Sequence, residues 1–154
     1  MATVIRPFRP EDAPALAQVI RRALYETNAK DYPVSVLDFM TDLYQPPHIL
    51  DLAAQGSMYV AEADARPVGC GAVTPHAEHP EDGYIQAVFL DPDYQGQGLG
   101  RAILEAVEAD PLFRSRRRVE VHSSLTARVF YEKMGYRHAS GVPVDEDGHY
   151  TMYK

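Results

Sequence analysis

The chain has 154 residues, of which 45% are apolar and 24% are charged, a composition typical of one soluble globular domain. Its formal net charge of −7 disfavours a nucleic-acid partner, which rewards a basic surface, and favours a cationic substrate such as an amine. No apolar run approaches the ~20 residues of a membrane span, and a single cysteine excludes an internal disulfide, so we expect a cytoplasmic protein without a membrane partner.

The N-terminal third of the chain predicts one strand followed by helices. After a strand over residues 3–6, apolar residues recur at helical spacing. These are Leu16, Val19, Ile20, Ala23 and Leu24. Prolines interrupt residues 25–50, where we expect Ser35 to cap a short helix and Pro46-Pro47 to break the chain again before a further helical turn or two up to Gln55. Irregular aromatic segments of this kind often carry specificity, so we expect the stretch to form part of a substrate site.

The middle of the chain predicts an antiparallel meander. Strands over residues 57–63, 68–74 and 84–90 are separated by short polar turns, and Gly69 and Gly71 indicate a bulge or bend in the second of them. The third strand is apolar at nearly every position, which is typical of a strand buried on both faces.

The C-terminal half alternates strands with helices, which implies parallel pairing. A loop over residues 91–98 leads into an amphipathic helix, and a strand over residues 119–121 precedes a helix capped by Ser123 or Ser124. Two final strands are predicted over residues 136–141 and 149–153. We therefore expect one mixed α/β domain over residues 1–154, with a central sheet of six to seven strands and helices on both faces.

Three glycines lie between the apolar strand and the amphipathic helix, in the sequence QGQGLGR at residues 95–101. They let the backbone curl so that successive N–H groups point inward, and the helix start adds unpaired N–H groups. Such a loop suits a diphosphate, although a plain tight turn has the same residues. No Gly-Lys-Ser/Thr follows, which excludes a nucleotide P-loop, and a dinucleotide fingerprint fails at Arg101.

Two separated segments resemble the GNAT family of acetyltransferases. Residues 89–102, FLDPDYQGQGLGRA, are similar to the acetyl-CoA signature Arg/Gln-x-x-Gly-x-Gly/Ala, entered from an apolar strand. Residues 126–136, TARVFYEKMGY, resemble the second signature, Ala-x-x-Phe-Tyr-x-x-x-Gly-Phe/Tyr. The opening residues 5–12 are also typical, so the likeness extends over the whole chain.

The resemblance implies an acetyl-CoA-dependent N-acetyltransferase without a metal. A primary amine, on a small molecule or on a protein or peptide, would attack the acetyl group directly in a ternary complex. The implied cofactor-binding residues are Val88, Phe89, Leu90, Gln95, Gly96, Gln97, Gly98, Leu99, Gly100, Arg101 and Ser124. Ser124 stands where many members have an asparagine, so it has two interpretations, a CoA contact or a helix cap.

The resemblance also implies that Tyr131 is the general acid that protonates the departing sulfur. The spacing of Tyr131 with Ala127 and Met134 is equally that of a core residue. Glu120 and His122 share one face of their strand and are the candidate general bases, the alternatives being two exposed polar residues or a chain of waters.

Two further questions stay open in the sequence. The acceptor amine is not identified, and a module that senses acyl-CoA without turnover is the alternative function. A homodimer is expected through residues 149–153 as an exposed edge strand, the alternative being an internal strand of a monomer.

Overall fold

The computed structural model describes residues 2–124, 126–138 and 150–154, which form a mixed sheet. Its strands are β1 (Thr3–Pro7), β2 (Ser57–Ala63), β3 (Arg66–Pro75), β4 (Gly83–Leu90), β5 (Val119–Ser123), β6 (Arg137–His138) and β7 (Tyr150–Tyr153). Within the described residues these seven strands are ordered β1-β2-β3-β4-β5-β7-β6. Only the β4–β5 pair of this set is parallel. The predicted mixed sheet of six to seven strands is confirmed.

Helices cover both faces of this sheet, as predicted. They are α1 (Ala13–Arg22), α2 (Val34–Leu43), α3 (Pro46–Gln55), α4 (Leu99–Ala109), α5 (Pro111–Ser115) and α6 (Arg128–Lys133). A π-helical turn, Ala23–Thr27, extends α1. Leu16 and Ile20 of α1 belong to the core of one face, and Ile103 and Leu104 of α4 to that of the other. Each such buried side chain contributes about 1.5–3 kcal/mol.

Prolines separate the helices of the irregular N-terminal stretch, as predicted, and also begin them, and the predicted helical segment up to Gln55 is α3. Pro33 occupies the N-cap position of α2, so Ser35 lies inside the first turn and the predicted Ser35 cap is wrong. Pro46 is the first residue of α3, where a missing N–H leaves no hydrogen bond unmade. Helix α5 was not predicted, because five residues are too few to show a helical period.

Strand β4 contributes buried side chains to both faces of the sheet, as predicted, since Ala87 and Phe89 belong to the core on the α1 side and Ile85 to the core on the α4 side. Ile85, Ala87 and Phe89 are buried, whereas the alternate residues Gln86 and Val88 are half-buried. Gln86 and Val88 are only half-buried because they line the cavities described below.

A bulge in β4 interrupts its pairing with β3. The register passes from Cys70 opposite Phe89 to Ala72 opposite Gln86, so β4 has one extra residue. Ala87 in this bulge has a φ of +58°. The predicted irregularity near Gly69 and Gly71 is confirmed, because Val68 of β3 is an extra residue in the pairing with β2, and β4 has its own extra residue opposite Gly71. The absence of a side chain at Gly71 also lets α4 pack close to the sheet, because a Cβ there would lie 2.8 Å from Ile103.

Strands β4 and β5 separate after a short parallel stretch. Pairing runs from Gly83–Val119 to Ile85–Val121 and then stops, while β5 continues along β7. The separation opens a cleft at the end of β4.

Strand β7 lies between β5 and β6 and is therefore internal. The prediction that this segment forms an exposed edge is wrong, since both sides of β7 are paired. His149 and the predicted strand residues 139–141 lie outside the described residues. In the described part of the chain, no helix combines the length and apolar character needed to cross a bilayer.

Candidate active site

The glycine loop turns the chain from β4 into α4 through two left-handed residues. Gly96 has a φ of +77° and Gly98, the N-cap residue of α4, has a φ of +80°. A Cβ added at either position would meet no atom within 4 Å, so the backbone here faces open space. Backbone N–H groups at the exposed start of a helix suit a phosphate.

Side chains from the end of α1 support this loop. Nη1 of Arg22 lies 2.9 Å from Oδ1 of Asp91 and 3.3 Å from Oδ2 of Asp93. The Gln95 amide donates to the Thr27 hydroxyl over 3.0 Å, which ties the π-helical turn to the loop. No local pattern indicates these contacts, because the partners are 68 to 71 residues apart in the sequence.

A cavity of about 450 Å³ adjoins the loop. It is lined by nine of the residues predicted to bind the cofactor, namely Val88, Phe89, Leu90, Gln95, Gly96, Gly98, Gly100, Arg101 and Ser124. The other two, Gln97 and Leu99, do not line it, because Leu99 packs into the core and Gln97 is exposed on the loop. We refer to this space as the loop cavity.

A second cavity of about 600 Å³ lies between α2 and the separated ends of β4 and β5. We call it the aromatic cavity after its lining side chains Tyr32, Phe39, Tyr44, Tyr84, Phe89 and Tyr131. The two cavities share the lining residues Asn28, Val88, Phe89, Ser124 and Ala127. They therefore meet beside the β4 bulge, where two substrates could be held next to each other.

Tyr131 on α6 lines the aromatic cavity and is 5% exposed. Its ring packs edge-on against Phe130 and Tyr136. Burial raises the pKa of Tyr131, and the nearby phenols of Tyr32 and Tyr84 raise it further. The hydroxyl makes no hydrogen bond to other described residues, so it remains available to a ligand.

Ser124 connects β5 to α6. Its Oγ accepts the N–H of Ala127 over 3.1 Å, and its carbonyl oxygen accepts the N–H of Arg128. Ser124 thus caps the turn that begins α6, while it also lines both cavities. A capping hydroxyl keeps its own proton, so the two interpretations of Ser124 are compatible.

Glu120 and His122 are in direct contact on β5. Nε2 of His122 lies 2.8 Å from Oε2 of Glu120, and Nε2 of His76 lies 3.2 Å from the same oxygen. Burial raises the pKa of Glu120, but hydrogen bonds from His122, His76 and Tyr153 outweigh it, so the net effect lowers this pKa. His122 lines the aromatic cavity, whereas Glu120 is not among its lining residues.

His76 was missed by the sequence analysis, which treated its segment as an ordinary polar loop. The residue is 44 positions from Glu120, and only the pairing of β4 with β5 brings the two together.

The sheet topology, the glycine loop and the adjoining cavities define an acetyltransferase-like α/β protein. The model of the acetyltransferase (GNAT) domain matches residues 54–138, more than half of the chain. The chain therefore belongs to the GNAT acetyltransferase family.

Two relatives align over most of their length. The uncharacterized N-acetyltransferase YafP of Escherichia coli is 28% identical over 133 residues, covering 86% of this chain and 80% of YafP. The peptidyl-lysine N-acetyltransferase YjaB of Salmonella typhimurium is 29% identical over 150 residues, covering 94% and 90%.

A solved structure shows the same fold. The PaiA N-acetyltransferase of Thermoplasma acidophilum, determined in complex with coenzyme A, superposes with a TM-score of 0.83. It covers 100% of this chain and 99% of its own, at 19% identity.

Proposed function

We propose that this chain is an acetyl-CoA-dependent N-acetyltransferase that acts on a primary amine in a ternary complex, with residues 1–154 forming one domain. The observation that carries the proposal is the meeting of the loop cavity and the aromatic cavity beside the β4 bulge. Membership of the GNAT family supports the acetyl donor. The peptidyl-lysine specificity of YjaB supports an amine acceptor, on a protein or on a small molecule.

The residues of the loop cavity fit a CoA diphosphate. Gly96 and Gly98 leave backbone N–H groups uncovered at the start of α4, which would hold the phosphates. Ala87 and Val88 have no partner in the β3–β4 register, so Val88 would offer backbone groups to the pantetheine arm or the acetyl oxygen. Acetyl-CoA supplies an acetyl thioester, whose carbonyl carbon a neutral amine attacks.

We assign the general base to His122 instead of Glu120. An alkyl amine with a pKa of ~10.4 must lose a proton to react at neutral pH. Glu120 already accepts hydrogen bonds from three side chains and has a lowered pKa, so it is a poor proton acceptor. His122 lines the aromatic cavity, where an amine would approach it, and its ring is held by the contact with the Glu120 carboxylate.

Tyr131 is the proposed acid. A tyrosine with a raised pKa stays protonated at neutral pH, as a proton donor must. Burial raises the pKa of thiols as well as that of phenols. The buried thiol of Cys70, for example, has a pKa raised to about 12. Proton transfer from Tyr131 to a sulfur that departs beside it is therefore less uphill than the raised phenol pKa alone suggests.

The proton balance closes on these two side chains. The ammonium proton passes to solvent before the reaction. His122 then takes the second proton that the amine nitrogen releases as the N–C bond forms, and Tyr131 gives its hydroxyl proton to the sulfur as the C–S bond breaks. Solvent then removes one proton from His122 and returns one to Tyr131. The products are the acetylated amine and the free CoA thiol.

The experiment combines calorimetry with turnover. Acetyl-CoA should bind, and thiol release should accompany a matching mass increase on at least one primary amine in a panel of small amines and lysine peptides. Binding without turnover across the panel would favour an acyl-CoA sensor. Absence of CoA binding would overturn the proposal.

A further inference from the structure

His76 sits in the loop between β3 and β4 with its ring orientation defined on both nitrogens. Nδ1 lies 3.1 Å from the backbone N–H of Glu78 and 3.2 Å from that of His79, so Nδ1 accepts two hydrogen bonds. An imidazole nitrogen that accepts carries no proton. The proton of neutral His76 is therefore on Nε2, from which it donates to Glu120.

The bond from His76 holds the carboxylate of Glu120 in place, with Oε2 against the His122 ring. Both imidazoles approach the same carboxylate oxygen, Oε2, and the carboxylate is only 13% exposed. An ionised carboxylate can only accept, so His122 must also donate from Nε2. The neutral form of His122 then accepts a proton through its other nitrogen, Nδ1.

Further groups face the cluster from β4, from β7 and from the neighbouring loops. The Tyr84 ring of β4 contacts both His76 and His122 edge-on. Tyr153 of β7 is a hydrogen-bond donor to Glu120, and Arg118 lies over the Tyr153 ring. His79 stacks at a tilt on the outer side of His76.

We propose that His76 is a positioning residue, which acts through Glu120 to hold His122 in the Nε2–H tautomer required of the base. This inference rests on the proposed function, because that function makes His122 the base. The chain of hydrogen bonds from His76 to His122 is independent of it. His76 does not line the aromatic cavity and so acts at one remove from substrate.

The test compares three variants. His76→Leu removes the donor, His76→Gln offers an amide donor in its place, and His79→Leu is the matched control on an exposed histidine of the same loop. The tautomers of His122 are measured by nitrogen-15 NMR above the imidazole titration. The kinetic constants are measured with an active amine, and acetyl-CoA affinity is measured by calorimetry.

The wild type and His79→Leu should show His122 as the Nε2–H tautomer, whereas His76→Leu should show a mixture of both tautomers. The kcat of His76→Leu should fall about 10-fold with KM and acetyl-CoA affinity nearly unchanged, and His76→Gln should recover most of the loss. A purely structural role predicts equal effects of His76→Leu and His76→Gln.

The two hypotheses fail in different ways. An unchanged Nε2–H tautomer in His76→Leu, or no recovery in His76→Gln, would overturn the positioning role. If the wild-type protein acetylates no amine, the proposed function fails, while the tautomer measurement still decides whether His76 orients His122.

Discussion

The Sγ atom of Cys70 lies 3.1 Å from the carbonyl oxygen of Ala87, inside the bulge of β4. Ala87 has a φ of +58°, a conformation that residues other than glycine adopt rarely. The thiol is a weak donor, and it contacts this carbonyl at a residue that has no partner in the β3–β4 register. The bulge lies at the meeting point of the two cavities, so Cys70 helps to hold backbone that the proposed reaction uses.

We expect Cys70 to resist iodoacetamide in the folded protein at pH 8. Burial raises the pKa of its thiol to about 12, and the thiolate is the form that reacts. The same protein in guanidinium chloride should be alkylated within minutes, which provides the control. Mass spectrometry measures the extent of alkylation. Rapid modification of the folded chain would show that the bulge opens readily.

Gly100→Val should reduce acetyl-CoA affinity by about 10-fold or more. A Cβ at Gly100 has room, since its nearest neighbour is Phe130 at 3.9 Å, and a larger side chain would enter the loop cavity. Gly98 is less suitable, because its φ of +80° strains any other residue.

Ala109→Val is the matched control for Gly100→Val. It introduces the same side chain at an exposed position in the last turn of α4, away from the loop. Calorimetry should give wild-type affinity for this control. Equal affinities of the two variants would contradict binding at the loop, and circular dichroism checks that both remain folded.

The carboxylate of Asp12 should make stability depend on pH. It accepts two hydrogen bonds of 2.8 Å from Arg6 and one from the N–H of Arg9. Burial raises the pKa of Asp12, but these donors outweigh it and lower the pKa overall. A lowered folded pKa means that the stabilisation is present above the unfolded value of ~3.9 and is lost as pH falls through the folded value.

Asp12→Asn should therefore lower the free energy of unfolding by about 2 kcal/mol at pH 7. The difference in unfolding free energy between variant and wild type should be constant from pH 6 down to about 4 and narrow below that, because the unfolded carboxylate is protonated first and the folded one at a lower pH. Urea denaturation at each pH measures both. Asp42→Asn, at an exposed position of α2, is the control and should match wild type throughout. If the difference in unfolding free energy between Asp12→Asn and wild type does not change with pH, the charge of Asp12 is not its origin.

Local sequence patterns were sufficient to predict the strands of the sheet and the glycine loop. Alternation and helical spacing depend on neighbours in sequence, so β2 was predicted with its observed bounds, Ser57–Ala63. Gly96 and Gly98 adopt positive φ values, which glycine tolerates best, so the residue types alone indicated a sharply turning loop.

Contacts that depend on strand order were not predictable. The salt bridge of Arg22 with Asp91 and the hydrogen bond of His76 with Glu120 join residues that only the folded sheet brings together. The edge position expected for residues 149–153 was wrong for the same reason, because the insertion of β7 between β5 and β6 is a property of topology.

Tyr131→Phe tests the proposed general acid with little change in packing. If Tyr131 protonates the departing sulfur, kcat should fall by ~10²–10⁴-fold while acetyl-CoA affinity stays similar. Burial raises the pKa of Tyr131, so its ionisation lies above the usual assay range. The fold loss in kcat should therefore be the same at every pH up to ~10. The variant should not shift the alkaline limb of the pH–rate profile.

Tyr136→Phe is the control that separates chemistry from packing. Tyr136 contacts Tyr131 edge-on, but its hydroxyl donates to Oε2 of Glu108 over 2.7 Å and lines neither cavity. Loss of that charge-assisted bond should cost about 1.5–3 kcal/mol of stability and leave kcat nearly intact. Tyr131→Phe should show the reverse, since its hydroxyl has no hydrogen-bond partner among the described residues. Wild-type turnover in Tyr131→Phe would make this tyrosine a core residue and leave protonation of the sulfur to water.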